Sequence, residues 1–281
     1  MTGADRLAAG WKDALGSWAI PPAILEAAPE SPYGFPTELF VRRGRRSADP
    51  DRSPTPTTVR ALDALPAGGT VLDVGAGGGA TSVPLLARAA RLVAVDGQPD
   101  MLEALTDVTP SGVELTTIAG RWPDVADDVP ACDVAVSGHV AYNVPDLDAF
   151  ALALSSHARR RVVLELTERH PLSWMNDLWL RFHDIARPEG PTADDAEALC
   201  AALGADVKRE DRVDEEDVAG SGFARRGDAI ALVRRRLCLP AAHDEEVAEA
   251  LGDRLDEHEG LWRAGSRGQG VATLWWDTGG R

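Results

Sequence analysis

The stretch Asp73-Val-Gly75-Ala-Gly77-Gly-Gly79 concentrates more special residue types than any other part of this 281-residue chain. It follows a short apolar run. Glycines let a backbone turn tightly and come close to a ligand. Twenty-three positions after Asp73, a second apolar run, RLVAVD, ends in Asp96. A carboxylate at the end of that strand can accept both hydroxyls of a ribose. The spacing Gly75-x-Gly77-x-x-Ala80 also satisfies the dinucleotide pattern G-x-G-x-x-G/A. Asp73 discriminates between the two ligand classes. A carboxylate two residues before the first glycine repels a pyrophosphate and attracts a ligand that carries an ammonium group.

These residues need a scaffold, and the pattern around them supplies one. TTVRALDAL reads as a helix, TVLDV as a strand, TSVPLLARAA as a helix with Pro84 in its first turn, and RLVAVDG as a strand. PDMLEALTDV, LDAFALALSSHA and TADDAEALCAALG read as helices, the last capped by Thr192 and ended by Gly204. GVELTTIAG, ACDVAVSGHV, RRVVLELTE, ADVKREDRV and VATLWWD read as strands. Continuously apolar strands alternating with helices predict a parallel sheet covered on both faces. HPLSWMNDLWLRFHDIA reads as one amphipathic helix. DAIALVRRRL and HDEEVAEALGDRL also read as helices, the three arginines suiting a solvated helix end. Residues 1–56 differ: they are rich in proline yet hold Trp11, Trp18, Tyr33, Phe35 and Phe40, which predicts an arm folded over the main domain. Short helices are expected near 4–16 and 21–28. Arg42, Arg43, Arg45 and Arg46 read as a solvated basic run in an exposed loop.

Composition narrows the classes. Asp and Glu number 45 against 29 Lys and Arg, a net charge of −16, which disfavours a nucleic-acid surface. Cys132, Cys200 and Cys238 are odd in number and form no C-x-x-C pair, so neither a disulfide framework nor a zinc site is expected, and no metal. No run is long enough for a membrane span and no signal-peptide pattern opens the chain, so the expectation is a cytoplasmic protein without membrane association.

With Asp73, Gly75, Gly77, Gly79 and Asp96 in this order, the chain resembles the class I S-adenosylmethionine-dependent methyltransferases. CDVAVSGHVAYNVPDLDAF is similar to their fourth-strand motif, in the form found among small-molecule methyltransferases. The resemblance covers roughly residues 57–168. It implies an α/β fold, Rossmann-like, with a seven-stranded, mostly parallel sheet, helices on both faces, and an antiparallel last strand. It divides the chain into a 1–56 cap arm and a 57–281 methyltransferase domain with lid-like segments about 168–190 and 214–262. The cofactor implied is S-adenosylmethionine, the product S-adenosylhomocysteine and the substrate a small molecule. Asp73 would hold the methionine amino group, the loop of Gly75, Ala76 and Gly77 would pass beneath the methionine moiety, and Asp96 would take the ribose. Gly97, Gln98 and Met101 would line the adenosine site. Ser137, Gly138 and His139 would face the cofactor amino acid and the transferring methyl. Relatives place an acidic residue on the adenine after the third strand; here stand Gly120, Arg121 and Trp122, whose backbone would read the adenine edge while Trp122 packs on its ring.

His139, at the tip of the fourth strand, is the candidate general base, needed if the acceptor must lose a proton; its alternative is packing. Tyr33, Phe40, Tyr142, Asn143, His170 and Trp174 are candidate substrate contacts, each with a core or anchoring role as alternative. A non-catalytic cofactor-binding or regulatory protein and a nicotinamide-dependent oxidoreductase remain rival readings. A dimer is compatible with the sequence.

Overall fold

The computed structural model describes residues 1–34, 37–49, 51–214, 222–265 and 268–279. Nine strands occur among them: β1 (Gly69–Val74), β2 (Ala89–Asp96), β3 (Glu114–Ala119), β4 (Cys132–Gly138), β5 (Ala158–Thr167), β6 (Lys208–Asp214), β7 (Leu255–His258), β8 (Leu261–Ala264) and β9 (Gln269–Asp277). Seven form one sheet in the order β3-β2-β1-β4-β5-β9-β6. Its pairings are parallel except at β9, which runs antiparallel to both β5 and β6. The chain thus lays out β1, β2 and β3 in one direction, then returns to place β4 on the other side of β1. The crevice at this reversal, outside the carboxyl ends of β1 and β4, is where such sheets bind ligands.

Ten α-helices surround the sheet: α1 (Gly3–Gly16), α2 (Pro22–Ala27), α3 (Thr37–Ser47), α4 (Pro56–Ala64), α5 (Pro99–Val108), α6 (Leu147–His157), α7 (Asn176–His183), α8 (Ala193–Ala202), α9 (Arg226–Arg236) and α10 (Asp244–Leu251). Successive strand residues take opposite faces. Leu72, Val93, Ala135 and Val162 join Phe150, Leu154 and Leu199 on one side. Val71, Leu92, Val134 and Val163 join Leu65, Leu85 and Leu105 on the other. A third cluster, around Met175, Trp179, Ile230, Val233 and Val247, builds a cap and draws in Ile20 and Ile24 from the arm.

Four expectations are corrected. The helix expected over 81–90 is a single 3-10 turn, Val83–Leu85, and β2 already begins at Ala89. Nine residues separate Gly79 from that strand, too few for a helix and its connections. The basic run 42–46 is no exposed loop. It lies in α3, which packs on the 3-10 turn and on α5, the place the missing helix leaves open. There Gly44 meets Gly78 backbone to backbone: a Cβ on Gly44 would overlap the Gly78 carbonyl, and one on Gly78 would come 2.5 Å from the Phe40 carbonyl oxygen. The single helix expected over 170–186 is a 3-10 turn followed by the shorter α7, ended by Asp184 in the left-handed region. The arginines of α9 are not solvated. Arg234 is buried, bonded to the Leu239 carbonyl and paired with Glu30 and Asp244, while Arg235 and Arg236 donate to the Gly34 carbonyl. The hairpin β7–β8 was not anticipated; it ends α10 where a longer helix was read.

The arm is strapped along its length. Trp11 is buried, donates to the Val144 carbonyl and stacks on Tyr142. Trp18 stacks on His170 at 3.7 Å and donates to the Gly190 carbonyl. Arg42 reaches the Gly222 carbonyl. Among the described residues no helix is long and apolar enough to cross a membrane.

The Gly44–Gly78 contact is testable. Gly44→Ala should cost about 1–3 kcal/mol through forced displacement, lowering the melting temperature. It should also speed tryptic cleavage at Arg42–Arg46 relative to the rest of the chain.

Candidate cofactor and methyl-transfer site

The carboxyl ends of β1, β2, β3 and β4 bring most of the expected residues to one crevice. Gly75 and Gly77 sit at φ +70° and +51°, and Gly75 and Ala76 both donate to the Val95 carbonyl, folding the loop back over β2. A Cβ on Gly75 would collide with Val140, so only glycine fits. Nothing stands within 4 Å of the side-chain direction of Gly77, which leaves that backbone open to a ligand. Asp96 Oδ2 accepts the Gly77 N–H and Oδ1 accepts the Gln98 N–H, both at 2.8 Å. The carboxylate therefore clamps the loop, and each oxygen keeps a lone pair for a hydroxyl. Gly97 and Gln98 are exposed, Met101 is buried in the first turn of α5, and Gly120 donates to the Asp96 carbonyl.

Asp73 is the anomaly of the site. It is fully buried, and neither carboxylate oxygen has a hydrogen-bond partner. Burial pushes its pKa up to about 7; the nearby Ser82 hydroxyl opposes that shift and the charge of Asp96 adds to it. A buried carboxylate without a donor is costly. A primary ammonium supplies both the charge and the three donors it lacks.

Several expected contacts are committed elsewhere. Trp122 is buried, donates to the Phe150 carbonyl and meets His157 edge-on, so its ring belongs to the core rather than to an adenine. Arg121 is exposed. Ser137 donates to the Val74 carbonyl and ties β4 to β1. Tyr142 donates to the Thr167 carbonyl at 2.6 Å and packs between Trp11 and His170. His170 is buried against Trp18, with its pKa lowered to about 3 by burial and by Arg187; it is a neutral anchor of the arm. Asn143 and Tyr33 are exposed, and Phe40 lies on α3 with its carbonyl against Gly78. Trp174 lines an open cleft of about 320 Å³ beyond the end of β5, with Glu168, Arg169, Asn176 and Glu189.

His139 ends β4 at φ +60°, donates its backbone N–H to the Glu165 carbonyl at 2.7 Å, and carries Nε2 2.9 Å from Glu165 Oε1. The ring contact is close but lacks the alignment of a hydrogen bond. Glu165, with His139, Arg212 and Thr57 around it, was not singled out from the sequence. The signal was present: a glutamate in the middle of RRVVLELTE, where both neighbours are apolar. Phe35 and residues 215–221 of the expected lid lie outside the described residues.

Residues 71–160 match the family described as a methyltransferase domain. These residues resemble a class I S-adenosylmethionine-dependent methyltransferase domain. A curated relative, an uncharacterised protein of Haemophilus influenzae, is 37% identical over 103 residues. That match spans 36% of this chain and 38% of the relative, little more than a third of either. Two solved structures share the fold. The YcgJ protein of Bacillus subtilis is 16% identical, with 79% of this chain and 97% of that one covered and a TM-score of 0.50. A candidate methyltransferase of Bacillus halodurans is 11% identical, with 79% and 98% covered and a TM-score of 0.50. The cofactor expected of such a domain is S-adenosylmethionine, with S-adenosylhomocysteine as product. The orphaned Asp73 carboxylate and the open Gly77 backbone fit it.

The Asp73 pKa gives a pH test. The folded protein holds this proton up to about 7, against roughly 4 for an ordinary aspartate. Its ionisation therefore destabilises the fold as pH rises from about 4 to 7, and a bound ammonium offsets that cost. S-adenosylmethionine affinity measured by calorimetry should be about tenfold weaker at pH 6 than at pH 8, with protons released on binding. Asp73→Asn should bind weakly at both pH values, lose the dependence, and melt higher than the parent at pH 8 without ligand.

Proposed function

We propose that the protein transfers the methyl group of S-adenosylmethionine to a small-molecule acceptor, in a crevice closed by its own arm and cap. The observation that carries this reading is Asp73, a fully buried carboxylate with no donor, beneath a glycine loop left open at Gly77. Asp73 holds the ammonium group, the 75–77 backbone supports the methionine moiety, and Asp96 takes the ribose hydroxyls. Gly97, Gln98, Met101 and the backbone of Gly120 bound the adenosine side. When bound, the cofactor supplies a sulfonium methyl, an electrophile that needs no further activation. What remains for the protein is to align an acceptor, exclude water and take up a proton.

His139 is the proposed base. It ends the strand on which the crevice turns, and burial with the nearby Arg43 charge lowers its pKa from the usual imidazole value. The ring is thereby neutral at physiological pH and able to accept a proton. The acceptor enters from the cleft beside Trp174, whose volume suits a small ligand. The 1–56 arm and the segments 168–190 and 222–262 form its cover, and their packing through Trp18, His170 and α9 supports a small-molecule cleft rather than a groove for a macromolecule. The nicotinamide reading loses its main physical support. A single 3-10 turn after the glycine loop supplies no helix dipole for a pyrophosphate.

Parallel calorimetric titrations with S-adenosylmethionine, S-adenosylhomocysteine and NAD test the proposal. The first two should bind and NAD should not; NAD binding alone would overturn it. His139→Ala should bind the cofactor as the parent does and lose methyl transfer by about 10²-fold or more; undiminished transfer would return His139 to packing.

A further inference from the structure

We propose that Glu165 is the positioning residue of the site. It holds the neutral His139 ring with its proton on Nε2, so that Nδ1 is the atom that takes the proton of a protic methyl acceptor. The inference rests on the proposed role of His139.

Glu165 grips His139 twice. Its backbone carbonyl accepts the His139 N–H at 2.7 Å and its carboxylate lies 2.9 Å from His139 Nε2. The double hold matters because His139 sits at φ +60°, a region side-chain-bearing residues adopt only when the surroundings enforce it. That backbone turn folds the ring back over β5, where Glu165 stands.

The carboxylate is arranged to keep one oxygen for the ring. Oε2 takes the Thr57 hydroxyl at 2.6 Å and lies 3.5 Å from Arg212 Nη2, and Thr57 is in turn 2.8 Å from the Thr273 hydroxyl. Oε1 faces His139. Burial alone would raise the Glu165 pKa. The His139 ring, Arg212 and Thr57 outweigh it and hold the carboxyl well below the usual range. An acceptor-only Oε1 at 2.9 Å favours a proton on Nε2 over a bare lone pair, although the pair is not aligned as a hydrogen bond. The groups that face the His139 ring are Arg43 from α3, Glu165 from β5 and Arg212 from β6. Burial, Arg43 and Arg212 lower its pKa, and Glu165 opposes them.

The reaction then balances. A C–O or other C–acceptor bond forms as the C–S bond breaks, the S–C electron pair stays on sulfur as a neutral thioether, and the acceptor proton goes to Nδ1. The resulting imidazolium is stabilised by Glu165 through Nε2–H. A glutamate kept for strand packing would do none of this to the ring.

The experiment is a long-range proton–nitrogen spectrum of protein labelled in its histidine rings, followed from pH 5 to 8, with His139→Gln assigning the signal. The wild-type ring, once neutral, should show Nε2 protonated and Nδ1 bare. In Glu165→Gln the titration midpoint should fall by about one pH unit or more, and both tautomers should appear. An Nδ1–H ring in the wild type overturns the proposal without any variant. An unchanged midpoint and tautomer in a folded Glu165→Gln protein overturns it too. Should Glu165→Gln fail to fold, Glu165→Asp, which withdraws the carboxylate by one methylene, must lower the midpoint in the same direction. S-adenosylhomocysteine titrated into the same samples separates the two readings. Its failure to bind would sink the cofactor assignment and leave the tautomer result standing.

Discussion

The crossover from β1 to β2 is too short to hold a helix, and much of the molecule follows from that length. A parallel sheet needs both faces covered. With nine residues between Gly79 and Ala89, the chain forms one 3-10 turn, and the face beside the glycine loop stays uncovered by its own connection. α3 fills the gap from the N-terminal arm. It can approach only because Gly44 and Gly78 lack side chains. The arm is therefore part of the wall of the cofactor crevice, and the contacts that strap it down at Trp11, Trp18 and Gly34 also shape the site. Arg43, brought by the same helix, adds its charge to the surroundings of His139.

Two buried carboxylates, on β1 and β5 with β4 between them, are driven in opposite directions. Asp73 has no donor of its own, so burial dominates and its proton is held to about 7. Glu165 is equally hidden, yet Thr57, Arg212 and the His139 ring keep it ionised. Chemical type is the same in both; the count of donors decides. A carboxylate left short of donors is poised for a cationic ligand, whereas one already satisfied serves another protein group. On the proposed reading, this division lets one crevice hold an ammonium at β1 and tune an imidazole at the end of β4.

The sheet was legible because burial on both faces writes itself as apolar runs at 71–72, 92–95, 134–136 and 162–164. Asp73, the glycines and Asp96 were legible because a tight turn and a strand-end carboxylate leave few residue choices. Helix α3 was not, since its packing depends on Gly78, far along the chain, and its arginines read as solvated without that partner. Trp122, Tyr142 and His170 were weighed as ligand contacts, and the structure spends them on Phe150, Thr167 and Trp18. An aromatic beside a motif carries no sign of which way its ring turns. The base partner, Glu165, lies 26 positions from His139 on a separate strand, and only the register of β4 with β5, which sets Gly138 opposite Glu165, places them together.

That register also limits where an acceptor can stand. Glu165 and His139 close the crevice on the β5 side, Thr167 is bonded to Tyr142, and three residues past Glu165 the wall opens at Glu168 into the cleft beside Trp174. On the proposed reading, an acceptor would approach along the end of β5, past a cleft wall that carries Glu168 and Glu189. Arg169 neutralises Glu189, to which it is bonded at 3.0 Å, while Asn176 contributes a buried carbonyl oxygen with no donor. Unsatisfied acceptors of this kind favour a ligand that brings hydrogen-bond donors. On the proposed reading, an acceptor with a donor-bearing group turned to Asn176 would meet the carbonyl oxygen that lacks one.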